Sequence, residues 1–339
     1  METNMKKTFH PGEFIRNQLM LFVLILVIIV FSFIANNFFT TGNLLNVLMQ
    51  STYAIIIGMG VSMIMISGAI DLSIGYQVSF MSVVYAVLVQ DLGQSSFLGI
   101  LVIILLGMLM GFLNGFLMVR FNVNALIITL GTSYAYQGLS FILSKSRTFI
   151  NLPASVTFLG KTYIAGVVPL AIVIMVIAVI VMAFVMNRTY FGRYIYGVGG
   201  NEEAIKLAGV NVERMRLLIY TISGLFVGLG CLVLIGRTGS IYAGMGSGLE
   251  FTCMTAGILG GISFRGGEGK VTGMVLGILL LQVLSNGMQL MGMGTYPQYV
   301  VKGIVLVAAV AFDSMQKKAK LKAEKLTPSQ RLAQAEKQK

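Results

Sequence analysis

The chain of 339 residues has one histidine and two cysteines, and only 11% of its residues are charged. Each scarcity closes off a class of chemistry. The single histidine, His10, lies in a polar N-terminal stretch and can anchor neither a catalytic triad nor a zinc site. Cys231 and Cys253 lie in or beside apolar runs without a Cys-x-x-Cys spacing. They read as small buried hydrophobes, with no disulfide and no metal expected. Soluble chains carry about 25% charged residues. A chain with less than half that share cannot cover a water-facing surface.

What the chain has instead is apolar length. It is 56% hydrophobic, with a mean hydropathy of +0.87. A bilayer crossing needs about 20 mostly apolar residues. Such segments fall near 16–35, 46–66, 73–90, 97–119, 124–144, 165–186, 216–236, 250–264, 271–291 and 296–312. The predicted fold is therefore all-α: a polytopic membrane protein of about ten transmembrane helices. The eighth segment is short, so a tilted, broken or re-entrant helix is expected there. Lys6, Lys7 and Arg16 flank the first segment, but no Ala-x-Ala cleavage site follows, so it reads as an uncleaved helix.

The net charge of +12 reads as orientation, with no nucleic-acid partner. With both termini in the cytoplasm, 19 of the 24 Lys and Arg residues fall inside and 4 outside. Lys302 falls within the last segment. That asymmetry supports an even number of spans. The predicted arrangement is a transmembrane domain over 1–315, with a cytoplasmic loop at 187–215, and a basic cytoplasmic tail over 316–339. Residues 44–144 and 216–312 each hold four apolar segments and start on opposite sides. This hydropathy suggests an inverted repeat of two four-helix blocks, as in many transporter folds.

Polar residues interrupt the apolar runs. Asp71 sits in SGAIDLSIGYQ between Gly68 and Gly75. A charge at bilayer depth costs about 2.5–3.5 kcal/mol on insertion scales, so it is paired, wet or functional. Two readings stand for Asp71: a cap on the third helix at the cytoplasmic edge, or a group lining the pathway. Ser73, Asn114, Thr129, Thr132, Gln137, Gln282 and Asn286 are further pathway candidates. Such residues also join membrane helices to one another. As a set they offer neutral hydrogen-bond partners, which suits a polyhydroxylated solute better than an ion.

One stretch stands apart, GVGGNEEAIKLAGVNVERMR at 197–216. Its glycines do not follow a strand in a βαβ unit, so it is no dinucleotide fingerprint. RGGEGKV at 265–271 has the Gly-Lys of a phosphate loop. However, Phe264 stands where that loop needs its first glycine, and Val271 replaces the magnesium-binding Ser or Thr. No ATP or magnesium site is expected on this chain. Within 201–208 an Asn suited to N-capping precedes two glutamates, and Gly209 follows. This predicts a short helix in a cytoplasmic loop.

From about Asn46 to Asp313 the sequence resembles the integral membrane permeases of ATP-binding-cassette monosaccharide importers, of the ribose, xylose and galactose class. The residues that carry the likeness are SGAIDLSIG, NGFLMVRFNVNALIITLGTSYAYQGL, NRTYFGRYIYGVGGNEEAIKLAGVNVERMRLLIYTISGL, GRTGSIYAGMGSGLEF, AGILGGISFRGGEGKVTGMVLG, LSNGMQL and YPQYVVKGIVLVAAVAFD. The resemblance implies a bacterial inner-membrane importer with two permease chains, two ATPase domains and an extracytoplasmic sugar-binding protein. ATP and magnesium would belong to the ATPase, so this chain would be a transport subunit with no catalytic residue. It also implies an ATPase-coupling role for Glu202, Glu203, Ala204 and Gly209. Ile205 departs from the family's Glu-Ala-Ala pattern, and Phe251 and Thr252 replace the Leu and Asp of a Glu-Leu-Asp-Ala stretch. Alternatives are a branched-chain amino acid or nucleoside permease of the same class, or an ion-coupled secondary transporter. An amino acid would want paired charge in the path, and ion coupling would want a carboxylate relay.

Overall fold

The computed structural model describes residues 11–324. His10, the lysines before it and the basic tail from 325 onward lie outside the described residues. Thirteen helices run in the order α1 (Pro11–Ile34), α2 (Thr41–Ile66), α3 (Ile74–Ala86), α4 (Ser96–Phe121), α5 (Ala125–Ser144), α6 (Ala154–Lys161) and α7 (Leu170–Arg188). They continue with α8 (Tyr190–Gly200), α9 (Glu202–Leu207), α10 (Val212–Thr238), α11 (Leu249–Leu259), α12 (Val271–Leu290) and α13 (Thr295–Glu324). A small hairpin of β1 (Tyr163–Ile164) and β2 (Val168–Pro169) precedes α7.

Among the described residues, seven helices are long and apolar enough to cross a membrane: α2, α4, α5, α7, α10, α12 and the Thr295–Met315 part of α13. The other three expected segments are also helical, but shorter. They are the apolar part of α1, α3 with its π-helical continuation Val87–Asp91, and α11. The hairpin delays the sixth segment, so its helix begins at Leu170 rather than near 165. The chain is an all-α, multi-pass membrane protein. Residues 316–324 continue α13, so the basic tail has no break from the last helix at its start.

Helix ends follow local chemistry. Thr40, Ser95, Asn124, Asn201 and Asn211 each cap a helix by accepting from a backbone N–H. Asn122, Lys145 and Gly239 end helices in the left-handed conformation.

Packing sorts the helices into a centre and a rim. From Ala54 to Ile66 every residue of α2 is buried. A helix apolar on all sides belongs in the middle of a bundle. Helices α10 and α12 are also mostly buried, whereas α4, α5, α7 and α13 turn much of their surface outward. On α4 that surface is a stripe of Leu101, Leu105, Leu109, Phe112 and Phe116, suited to lipid.

The two four-helix blocks pack as an inverted repeat. If α2–α5 is set against α10–α13, each pairing has its counterpart. Helix α10 packs on α4 as α2 packs on α12, and α3 packs on α5 as α11 packs on α13. Likewise α3 meets α4 and α10 as α11 meets α12 and α2. In both blocks the second helix is short and follows a non-helical segment. Between helices in lipid there is little hydrophobic drive, so close backbone contact must supply the attraction. A methyl group on Gly224 of α10 would fall 2.0 Å from Gly107 O of α4. One on Gly273 of α12 would fall 2.0 Å from Gly260 O, just past α11.

Replacing Gly224 with Val should therefore destabilise the fold by about 1–3 kcal/mol or more, as overpacking does. Gly42→Ala, where nothing lies within 4 Å, should not. Thermal unfolding in detergent checks this; equal midpoints for both variants would contradict the packing described.

Candidate functional site

The candidate pathway residues separate into two groups. The first surrounds the start of α3. Asp71 Oδ1 accepts from Ser73 N at 2.8 Å and from Ser73 Oγ at 2.6 Å. Its Oδ2 accepts from Gln77 Nε2 at 3.3 Å and Asn114 Nδ2 at 3.4 Å. Both amides also donate to Ser73 Oγ, at 2.7 and 2.8 Å. Thr129 Oγ1 accepts from Leu72 N at 3.1 Å, and Tyr220 donates to Ile70 O at 2.9 Å. Segment 70–73 is thus held by side chains from α3, α4, α5 and α10. Gln77 and Tyr220 belong to this set and were not singled out from the sequence. Nothing in composition or spacing distinguishes them from ordinary polar residues on a membrane helix.

The depth of this group follows from helix rise. Asn114 lies one and a half to two turns before the end of α4, about 10 Å along its axis. Tyr220 is a similar distance into α10. Asp71 is therefore buried inside the bundle. Ser73 stands at the N-cap position of the helix that follows but makes no side-chain cap bond; both its N–H and its hydroxyl donate to Asp71 instead. All its partners are neutral, and each of its oxygens accepts twice. Gln77 Oε1 and Asn114 Oδ1, beside it, have no hydrogen-bond partner among the described residues.

The start of α11 meets the start of α3. A methyl group on Gly75 would fall 2.1 Å from Glu250 Oε2 and 2.5 Å from Gly246 O. Gly246 N donates to Ser79 Oγ at 3.1 Å, and Gly248 N to Glu250 Oε1 at 3.2 Å. With 11 residues, α11 is about 16 Å long, half of the roughly 30 Å hydrocarbon layer. The eighth expected span is a half-length helix that begins within the bundle.

The remaining candidates lie elsewhere. Gln137 donates to Tyr76 OH at 2.7 Å and ties α5 to α3 one step along from the Asp71 group. Thr132 bonds only to Thr129 O of its own helix, at 3.2 Å. Asn286 exchanges two hydrogen bonds with Asn43, at 2.9 and 3.0 Å, and joins α12 to the start of α2. Gln282 is buried beside Tyr53 on the same pair of helices. Gln282 and Asn286 form a second group, apart from Asp71.

The polar loop forms the expected helix. Asn201 Oδ1 accepts from Ala204 N at 3.0 Å, and Gly209 ends the segment with φ +84°. Glu202 turns inward: its carboxylate lies 2.7 Å from Lys206 Nζ and 2.5 Å from Arg216 at the start of α10. The hydrogen bond from Lys206 and the charge of Arg216 hold its carboxyl below the usual range. Glu203, Ala204 and Gly209 face solvent. Beside them Leu207 is 89% exposed. Sequence reading missed Leu207; an apolar residue within a polar loop segment was the available signal. On the same side of the bundle, a cavity of about 580 Å³ lies between segment 67–70, the α4–α5 turn, Arg216 and Phe264.

Comparison with known proteins places these features. The family described as branched-chain amino acid transport system / permease component matches residues 43–310. The ribose import permease protein of Haemophilus influenzae is 31% identical over 318 residues, covering 93% of this chain and 98% of the relative. The fructose import permease protein of Rhizobium meliloti is 35% identical over 306 residues, 88% and 85% of the two chains. The galactose/methyl galactoside import permease protein of Escherichia coli K12 is 35% identical over 315 residues, 87% and 93%. No solved structure matches the chain.

Asp71→Ala would leave the donors of Ser73, Gln77 and Asn114 facing an empty site, at about 1–3 kcal/mol for each buried group left unpaired. The expected result is a clear fall in thermal midpoint of the detergent-solubilised protein. An unchanged midpoint would mean that the carboxylate is free for a ligand rather than committed to segment 70–73.

Proposed function

Since the chain belongs to the permease-component family just described, we propose that it is the membrane permease of an ATP-binding-cassette importer for a monosaccharide. Three named sugar import permeases, each aligned over most of both chains, support a sugar over a branched-chain amino acid or nucleoside. The neutral character of the buried polar groups agrees: the Asp71 cluster offers amides and hydroxyls, and the one carboxylate in it is already engaged. Hydroxyl-rich solutes exchange hydrogen bonds well with such groups, whereas a zwitterion would need paired charge.

The observation that carries the coupling half of the reading is α9. It is a short capped helix that projects from the bundle with Leu207 almost wholly uncovered. An isolated exposed leucine on a rigid helix is suited to a pocket on a partner, where one buried apolar anchor dominates affinity. In this reading ATP and magnesium are bound and used by two partner ATPase domains, and this chain contributes no catalytic group or cofactor. Glu203, Ala204, Leu207 and Gly209 meet the ATPase, while Glu202 braces the helix against Arg216. A second permease chain completes the pathway, and a soluble extracytoplasmic sugar-binding protein delivers the solute. The assembly sits in a bacterial inner membrane.

The mechanism follows from these parts. Closure of the ATPase domains displaces α9, and the bundle changes which side its interior faces. Asp71, Ser73, Asn114 and Thr129 hold the α3 start in place during that change, beside the 580 Å³ cavity on the α9 side. Gln137, Gln282 and Asn286 join helices further along, while Thr132 bonds within α5.

Two measurements test this. Sugar uptake by cells carrying the full importer should survive a protonophore and stop when the ATPase subunit is deleted; uptake abolished by the protonophore alone would favour ion coupling instead. Leu207→Asp should weaken copurification of the ATPase about tenfold or more, the effect of losing a strong anchor residue, at unchanged permease abundance. Full retention of the ATPase would remove Leu207 from the interface.

A further inference from the structure

The two glycine-rich motifs that hold no nucleotide are adjacent in space. GVGG forms the end of α8, and RGGEG the turn between α11 and α12. They close around the end of α2. A methyl group on Gly199 would fall 1.9 Å from Ile66 O and 2.5 Å from Gly267 N. One on Gly266 would fall 2.5 Å from Gly68 Cα, and one on Gly267 would fall 2.7 Å from Gly200 Cα. Gly267 N donates to Ile66 O at 2.8 Å, and Tyr196 OH of α8 donates to Gly269 O at 2.9 Å. Three chain segments thus touch backbone to backbone, with no side chain between them.

We propose that this glycine junction is the mechanical link between α9 and the two helices that begin inside the bundle, with Gly199 and Gly266 as its positioning residues. The proposal rests on the importer reading. Side chains in a contact absorb displacement by changing rotamer. Backbone pressed on backbone cannot, so movement of one segment displaces the next. On one side α9 is fixed to the junction: Ile205 packs where Gly197 has no side chain, its Cδ1 2.4 Å from the place a methyl group would take. Asn201 N also donates to Gly197 O at 2.9 Å. On the other side, Gly68 lies three residues before Asp71, whose hydrogen bonds set the α3 start. Gly266 lies in the turn that joins α11 to α12. A displacement of α9 therefore reaches both α3 and α11 through a few residues of connecting chain. This assigns the glycines of both motifs a role that neither phosphate binding nor packing of long helices supplies.

The test uses the complete importer, with permease, ATPase and sugar-binding protein, reconstituted in liposomes, and reads sugar transported per ATP hydrolysed. Gly199→Ala wedges the junction, and Ile205→Ala loosens α9 from it without adding bulk. Both variants should assemble and hydrolyse ATP, while the transport ratio falls at least about fivefold, the lower end of typical coupling between sites. Gly42→Ala, outside the junction and with nothing within 4 Å, should keep the wild-type ratio. If Gly199→Ala does not assemble, Ile205→Ala decides. An unchanged ratio in the assembled variants overturns the junction. A wild-type complex that moves no sugar with ATP would instead overturn the importer reading.

Discussion

Two helices of this protein, α3 and α11, begin inside the bundle, where the backbone groups freed at their starts are buried. In a membrane such groups must find partners within the chain, at a cost of several kcal/mol for each failure. That requirement accounts for Asp71, Ser79, Thr129, Tyr220 and Glu250, each of which bonds a backbone group at one of these starts. The amides of Leu72 and Ser73 go to Thr129 and Asp71, and those of Gly246 and Gly248 go to Ser79 and Glu250. Tyr220 supplies the donor for Ile70 O. The Asp71 carboxylate is tolerable at depth because donors surround it, from Ser73, from Gln77 of α3 and from Asn114 of α4. The same interactions that satisfy the α3 start also fix α4, α5 and α10 around it.

Glycine solves the complementary problem of attraction. Where lipid tails compete equally for apolar side chains, helices gain by bringing backbones together. Gly107 against Gly224 does this between α4 and α10, and Gly260 against Gly273 between the end of α11 and α12. On the α9 side the same device joins the end of α8 at Gly199 to the non-helical turn at Gly266 and Gly267. Glycine-rich sequence here marks backbone contact, which explains why motifs suggestive of phosphate loops have the wrong residues for one.

Much of the architecture was legible in hydropathy because burial in lipid demands long apolar runs. Each of the ten expected segments is a helix, and the short eighth one is the half-length α11. The short polar helix was legible too, since Asn201, the two glutamates and Gly209 are local signals. Partnership was less visible. Asp71, Ser73, Asn114 and Thr129 converge, whereas Gln282 and Asn286 face α2 elsewhere, because sequence spacing does not say which helix lies opposite. Glu202 looked like Glu203, yet Arg216, fourteen residues away, turns it inward. The inverted repeat survives in packing and not in residue identity: the constraint acts on which helices meet, and different side chains satisfy it.

The account's central claim is that α9, the end of α2 and the α11–α12 turn move as one body when the ATPase closes. Spin labels on cysteines introduced at Ala208 and Ala69 of one chain measure this in the complete importer, by pulsed electron–electron distance measurements with and without trapped ATP. The predicted result is an unchanged Ala208–Ala69 distance, while the distance from Ala208 to a label at Leu139 on α5 shifts. A change in the Ala208–Ala69 distance as large as the shift to α5 would contradict the claim, since α9 would then move independently of the helices it is held to drive.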